Sequence, residues 1–252
     1  MDYQYIVDWI KDYSSKNNIN TLVIGVSGGI DSAVTSTLCA ETGLDTLVMN
    51  MPIRQSNSEY DRGQAHMEWL EEKYDNVRTG TYDLEKTFEA FCNEMFIGNE
   101  LAEANTRSRL RMTALYHMAT YQGNALVVGT GNKVEDFGVG FYTKYGDGGV
   151  DISPLADLMK SEVYQVGKKL GIIESIMSAA PTDGLWDERL TDEDQIGATY
   201  AELEWAMTFD GDESSLGPRD REVLSIYRKF NSANRHKMVP IPVCYKSNQN
   251  GK

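Results

Sequence analysis

Short β-forming runs alternating with longer helical stretches constrain this chain more than any other feature. Thr21–Val26, Thr46–Met49, Val77–Tyr82 and Ala125–Gly129 read as strands. Helices are expected between them: a small-residue segment from Ser32 to about Thr42 that Gly43 ends, Ser56–Lys73 with Ser56 or Ser58 as N-cap, Leu84–Glu94, and Leu101–Gln122. Strands separated by helices cannot pair as hairpins and must be joined by crossovers. The expected fold is therefore α/β, a doubly wound, mainly parallel sheet flanked by helices.

Tyr3, Ile6, Val7, Ile10 and Tyr13 place an amphipathic helix ahead of the first strand. After the fourth strand the pattern changes. Thr130–Pro154 is glycine-rich and lacks a long apolar run, the kind of long loop that is usually functional or disordered. A helix at about Lys160–Leu170 follows, and Pro181–Leu190 is irregular. Thr191-Asp-Glu-Asp194 has the form of a capping box opening a helix to about Met207. A polar break, Asp210–Pro218, precedes a final helix, Arg219–Phe230, and a tail from Asn231 to Lys252.

Composition excludes several classes of protein. With 252 residues and 41% hydrophobic content the chain can bury a core and is not of the disordered type. It contains no apolar run of the roughly 20 residues that a membrane span needs. Its N-terminus lacks the apolar core of a secretory signal. The 3 cysteines, Cys39, Cys92 and Cys244, are widely spaced, which argues against a disulfide framework, a zinc site or a dithiol centre. A reducing, cytoplasmic compartment is expected. The net charge of −14 speaks against a nucleic-acid platform and for an enzyme whose anionic small molecules meet a few placed cations.

The strongest local motif is Ser27-Gly28-Gly29-Ile30-Asp31-Ser32, between a strand and a helix. Its glycines let the backbone turn sharply and aim successive N–H groups at one point, and the following helix adds the positive end of its dipole. Phosphate is the expected ligand. Asp31 would repel phosphate directly and makes sense as a ligand for Mg²⁺ carried by a nucleoside triphosphate. The motif is neither a Walker A loop, since it has no lysine, nor a dinucleotide fingerprint, since Gly129-Thr-Gly131 lacks a third glycine. A bare Gly-Gly turn can be a simple connection; the flanking Ser27, Asp31 and Ser32 set this one apart.

Ser27–Ser32 resembles the pyrophosphate loop of the ATP pyrophosphatases, a Rossmann-like group that adenylates its substrates. Further blocks narrow the resemblance: Gly129-Thr-Gly-Asn-Lys-Val-Glu135, Gly140-Phe-Tyr-Thr-Lys-Tyr-Gly-Asp-Gly-Gly-Val-Asp151, Ser153-Pro154, Lys160, Pro181-Thr-Asp-Gly-Leu-Trp-Asp187, Thr191–Asp194 and His236-Lys-Met-Val-Pro240. In order and spacing they are similar to NAD synthetases from about Thr21 to Pro242. That resemblance implies conversion of deamido-NAD to NAD with ATP, Mg²⁺ and ammonia, through an adenylate, releasing AMP and pyrophosphate. It also implies a homodimer with the dinucleotide bound where subunits meet. The glutamine-dependent members carry a large glutaminase domain ahead of this one. Too little sequence precedes Ser27 to hold it, which points to the ammonia-dependent form and to residues 1–252 as a single domain. The alternatives are another ATP pyrophosphatase acting on a different acceptor, for which a tRNA-thiolating enzyme would bring cysteines and a basic surface, or a non-catalytic ATP-binding module.

The resemblance also assigns roles. Gly25, Val26, Ser27, Gly28, Gly29, Ile30, Asp31 and Ser32 correspond to the ATP loop, with Thr130, Thr182 and Lys160 as further ATP contacts; either threonine could equally be a turn hydroxyl. Asp31 and Glu135 correspond to the metal ligands. The segment from Glu135 to Gly140 is one residue longer than the commonest pattern, so counting back from Gly140 selects Asp136 instead. Arg109, Lys144, Asp151, His236 and Lys237 correspond to deamido-NAD contacts, with a possible slip in register because Arg235 precedes the His-Lys pair. At most two of Arg107, Arg109 and Arg111, on one helix, can face a site. Asp147 corresponds to a carboxylate near the ammonia site, suited to attracting ammonium and accepting its proton, although an Asp among glycines is also a common turn. His66 and His117 receive no role, and His117, among apolar helix residues, reads as a structural histidine.

Overall fold

The structure, a computed structural model, describes residues 2–95, 98–182 and 191–246. Its centre is a sheet of β1 (Thr21–Val26), β2 (Asp45–Asn50), β3 (Val77–Thr81) and β4 (Ala125–Val127), all parallel, in the order β3-β2-β1-β4. The helices in chain order are α1 (Gln4–Lys16), α2 (Ile30–Glu41), α3 (Asn57–Lys73), α4 (Glu85–Met95), α5 (Glu100–Gln122), α6 (Lys160–Leu170), the short α7 (Glu174–Met177), α8 (Asp192–Ile196), α9 (Tyr200–Thr208) and α10 (Pro218–Met238).

Strand side chains alternate between two faces. Leu22, Ile24 and Val26 of β1 pack with Val48 under α1, α2, α3, α6 and α7. Val23, Leu47, Met49 and Val127 pack on the other face under α5. A third, smaller cluster lies apart from the sheet, where α8, α9 and α10 enclose Val134 and Val139 through Ile196, Tyr200, Leu203, Ala206, Val223 and Leu224. The chain thus holds one large core on a sheet and one small core of helices.

The doubly wound fold read from the alternation is the observed one, and several boundaries move. β4 ends at Val127, because Val128 pairs with Ile152 and the returning chain extends the sheet edge. Ser56, not Ser58, caps α3, and Glu59 completes its capping box. The capping box at Thr191–Asp194 forms, but its helix does not run on to Met207. It stops at Gly197, and α9 restarts with a second capping box built on Thr199 and Glu202. The last helix does not end at Phe230; it continues to Met238, so residues 231–238 belong to α10 rather than to a tail. The glycine-rich stretch after β4 contains a π-helical turn, Val134–Val139. Of the segment Pro181–Leu190, residues 183–190 lie outside the described residues.

The histidines exchange places relative to expectation. His117 is exposed on α5, whereas His66 is fully buried, its Nε2 2.9 Å from the Ser36 hydroxyl and its ring stacked on Trp69. On a 23-residue helix with no strong apolar face, an apolar neighbourhood in sequence does not fix which side faces inward. Burial holds the His66 imidazole down at about 4, against 6.5 in the open chain. Between those values the unfolded chain binds a proton that the folded one refuses. Stability is therefore complete above 6.5 and is lost as the pH falls toward 4. The stability advantage of the wild type over His66→Gln is expected to shrink by roughly 2 kcal/mol between about pH 7.5 and about pH 5, measured by urea unfolding. A difference that stays constant with pH would show that His66 does not titrate in this way.

Candidate active site

Because β1 is flanked by β2 on one side and β4 on the other, the chain leaves the sheet in opposite directions beyond these two strand ends. Such a switch point opens a crevice at the carboxyl ends of the strands. A cleft of about 750 Å³ lies there, lined by the turn after β1, the chain after β4, the inner face of α5 and the end of α10.

The turn Ser27–Ser32 closes on itself. The Ser32 hydroxyl donates to Gly29 O at 3.0 Å and accepts from Ser27 N–H at 3.2 Å, and the Gly29 N–H donates to the Ser27 hydroxyl at 3.3 Å. Gly28 has φ 84°, and a side chain there would overlap the Glu59 carbonyl oxygen, so α3 and the turn meet backbone to backbone. α2 begins at Ile30, and the N–H groups of its first turn, at Ile30, Asp31 and Ser32, have no acceptor within the helix. These N–H groups and the dipole behind them form an anion cradle at the cleft wall.

Facing the cradle is a buried charge cluster. Lys160 opens α6 but is only 3% exposed. Its ammonium donates to Asp31 Oδ2 at 2.5 Å and to Glu135 Oε1 at 2.8 Å. Tyr200 donates to the same Glu135 oxygen at 2.6 Å and lies 3.1 Å from Asp192 Oδ2, with the Lys160 ammonium over its ring. Asn132 Nδ2 donates to Asp31 Oδ1 at 2.9 Å, while its carbonyl oxygen receives the Val134 and Glu135 N–H groups. Burial works against the Lys160 charge, but the two carboxylates overcome it and raise its affinity for the proton. Burial pushes Glu135 toward protonation too, and Lys160 and Tyr200 reverse this and hold its carboxyl below the usual range. In Asp31 burial prevails, helped by Glu135, and its carboxyl is raised.

Glu135, rather than Asp136, is the acid that meets Lys160. The segment before Gly140 folds as a π-helical turn, whose hydrogen bonds span one residue more than those of an α-helix. Asp136 also lines the cleft, and burial together with the charges of Glu135, Asp147 and Asp31 pushes its carboxyl up to about 8. Lys160 thus meets two carboxyl groups, those of Asp31 and Glu135. Among the described residues no cluster of three metal-ligating side chains occurs. Two carboxylates are nevertheless the share a protein typically gives to a Mg²⁺ that brings phosphate oxygens with it, so Asp31 and Glu135 fit that ion.

Asp147 lies deeper along the cleft. The Ser108 hydroxyl donates to its Oδ1 at 2.7 Å and the Thr143 N–H at 3.0 Å, and the Asp147 N–H returns a bond to Ser108. It is open to the cleft but ringed by protein, and this loss of water raises its carboxyl. Thr130, Thr182, Arg109, Lys144, His236 and Lys237 all line the same cleft, as do Gly25, Val26, Ser27, Gly29, Ile30 and Ser32. Thr182 donates to Glu59 at 2.6 Å, Arg109 to Lys144 O at 3.2 Å, and Lys144 to His236 O at 2.9 Å. Two expected residues are not in the lining: Gly28 lies behind the turn against α3, and Asp151 is not brought in. Asp151 is exposed outside the cleft wall, and its carboxylate accepts from Tyr116 OH and from the Val127 N–H at the end of β4.

Of the three arginines on α5, Arg109 and Arg111 face the cleft and Arg107 lies against the Phe88 ring. Arg111 donates to Met51 O at 3.0 Å and to Gln55 at 3.2 Å, fixing the chain after β2. Sequence reasoning assigned no role to Asn132, Ser108, Tyr200, Asp192 or Arg111. Asn132 lies in the Gly129–Glu135 segment, Asp192 in Thr191–Asp194 and Arg111 in the arginine row, but none carries a signal separating it from its neighbours. Tyr200 and Asp192 reach the cluster only through tertiary folding.

An anion cradle at a sheet switch point, opposed by a buried lysine and paired carboxylates, defines a nucleotide-handling α/β enzyme. The family described as NAD synthase matches residues 2–238. The NH(3)-dependent NAD(+) synthetase of Alkaliphilus metalliredigens is 36% identical, the match covering 96% of this chain and 97% of that one. Among solved structures, NMN synthetase from Francisella tularensis superimposes with a TM-score of 0.84 at 32% identity, covering 98% of this chain and 97% of that one. The NH3-dependent NAD synthetase from Campylobacter jejuni, in complex with the nitrate ion, gives 0.77 at 25% identity, covering 97% and 100%. The chain belongs to the NAD synthase family: it is a ligase of the ammonia-dependent kind that its curated relatives represent. No helix among the described residues is long and apolar enough to cross a membrane.

The cluster makes a stability prediction. Removing the Lys160 ammonium leaves Asp31 and Glu135 close together with no cation, and breaking a buried pair from one side is strongly destabilising. Lys160→Ala is expected to lose about 3 kcal/mol in denaturant unfolding at neutral pH. The added change Asp31→Asn should recover part of that loss, because it removes one of the stranded charges.

Proposed function

We propose that this chain, as a single domain, converts deamido-NAD to NAD with ATP and ammonia. The observation that carries the reading is Lys160 held by Asp31 and Glu135 directly beside the N–H groups of the α2 turn. Adenylation gathers negative charge on the α-phosphoryl oxygens and on departing pyrophosphate. Preset N–H groups and an ammonium stabilise that charge without reorganisation. The pyridine carboxylate oxygen attacks the α-phosphorus and pyrophosphate leaves. Asp31 and Glu135 would hold Mg²⁺, which when bound supplies further charge neutralisation on the phosphates.

Ammonia then attacks the activated carbonyl carbon, and AMP departs with the carboxylate oxygen. Only free amine is nucleophilic, so ammonium must first surrender a proton. Asp147, with its raised carboxyl and its Ser108 and Thr143 donors, is placed to attract the cation and take that proton. Arg109, Lys144 and Lys237 bring positive charge to the cleft, where an acidic substrate would lie, and His236 lines it beside them. The assembly proposed is a homodimer with the dinucleotide at the subunit junction; Asp151, outside this cleft, would then act at that junction. A cytoplasmic location goes with the reading.

The match to NMN synthetase favours a second reading, in which the acid is the corresponding mononucleotide and the chemistry is the same. One assay separates them. With ATP, Mg²⁺ and ammonium, deamido-NAD is expected to give AMP and NAD with a higher kcat/KM than nicotinic acid mononucleotide. The reverse order would move the acceptor to the mononucleotide, and no AMP from either acid would remove both readings. Glutamine is expected to be a poor nitrogen source at neutral pH. Asp31→Asn is expected to lower kcat by more than about tenfold, some 1.4 kcal/mol of barrier; near-normal turnover would take Asp31 out of the phosphate chemistry.

A further inference from the structure

The π-helical turn Val134–Val139 ends with carbonyls that have no donor within the turn, and the chain beyond it leads to Tyr142, Lys144 and Asp147. Such buried acceptors need partners. They find them on α10. Asn231 Nδ2 donates to Gly138 O at 2.8 Å and to Phe137 O at 3.2 Å. Asn234 Nδ2 donates to Val139 O at 2.8 Å. Lys237 Nζ donates to Gly140 O at 2.8 Å and to Tyr142 O at 2.9 Å. In return Lys144 donates to His236 O. Residues three apart are neighbours along a helix surface, so one stripe of α10 meets the carbonyls of residues 137–140 in order. The helix also sits hard against this segment. Gly140 has φ 66°, and a side chain there would overlap the Cβ of Asn234.

The cradle side of the cleft meets this turn only at one remove, through Lys160 between Asp31 and Glu135. Ser27–Ser32 is held by its own hydroxyls, by Arg62 donating to Gly28 O at 3.0 Å and by the sheet core, none of which involves α10. The two sides of the cleft are thus supported by different parts of the chain.

We propose that Asn231 and Asn234 are positioning residues for the acceptor half of the reaction: they hold the carbonyls of the π-helical turn and so set the placement of Tyr142, Lys144 and Asp147 relative to the bound acid and ammonia. The proposal rests on the reading above for its kinetic consequence, but its structural content does not. Asn234 lines the cleft, but neither side chain has to touch substrate; Glu135, at the start of the same turn, is held by Lys160 and Tyr200 rather than by α10, so ATP should be affected less than the acid.

The test uses Asn231→Ala, Asn234→Ala and, as a retained amide, Asn231→Gln. The alanine variants are expected to raise the KM for deamido-NAD and for ammonium by about tenfold while the KM for ATP stays within about twofold, and Asn231→Gln should recover part of the loss. Hydrogen–deuterium exchange of the ligand-free protein is expected to quicken at amides 138–146 and to stay unchanged at 22–36. Unaltered KM values with unaltered exchange would overturn the proposal. So would an equal loss toward ATP and the acid accompanied by a fall in Tm, which would mark a general loosening. Should Asn234→Ala fail to fold, Asn231→Ala carries the same comparisons. Because exchange needs no turnover, a wild type that made no NAD would refute the functional reading while the exchange result still decided the clamp.

Discussion

Everything at the cleft is organised around one ammonium group that has given up its water. A lysine only 3% exposed is tolerable because two carboxylates supply what solvent would have. Those carboxylates come from the turn after β1 and from the π-helical turn, and the lysine from the start of α6. Asn132 then satisfies the other Asp31 oxygen, and Tyr200 adds a second bond to the Glu135 oxygen that Lys160 holds. Segments far apart in the chain are thereby fixed to one point beside the N–H groups of α2.

What the sequence made legible follows from how local each signal is. The strand–helix alternation and the Ser27–Ser32 turn are short-range patterns, and the sheet, its parallel sense and the cradle are as read. Signals that need partners far along the chain were less visible. Tyr200 shows nothing at its own position of the Glu135 carboxylate it meets. The helix after Thr191 was read as one because both halves have helical periodicity, yet Gly197 divides it. The end of α10 was missed for a different reason. Asn231, Ser232 and Asn234 are weak helix formers, and the face they build is polar. That face is turned toward backbone carbonyls instead of side chains, so hydrophobic periodicity has nothing to detect.

The π-helical turn Val134–Val139 closes its hydrogen bonds over one residue more than an α-helical turn does. Glu135 meets Lys160, Asp136 has a place on the cleft wall, and the Tyr142–Asp147 loop has its seat against α5 through Ser108 and Asn105.

The division of the interior into a large sheet core and a small helical one has a further consequence. The cradle rests on the first and the part that faces the acid leans on the second, while Glu135 and Tyr200 tie the second to the Lys160 cluster. Repacking among α9, α10 and the π-helical turn can reshape the seat of the acid without disturbing the strands beneath the cradle. Such an architecture keeps the cradle's own support apart from that of the acid's seat, with Lys160 as the link between them.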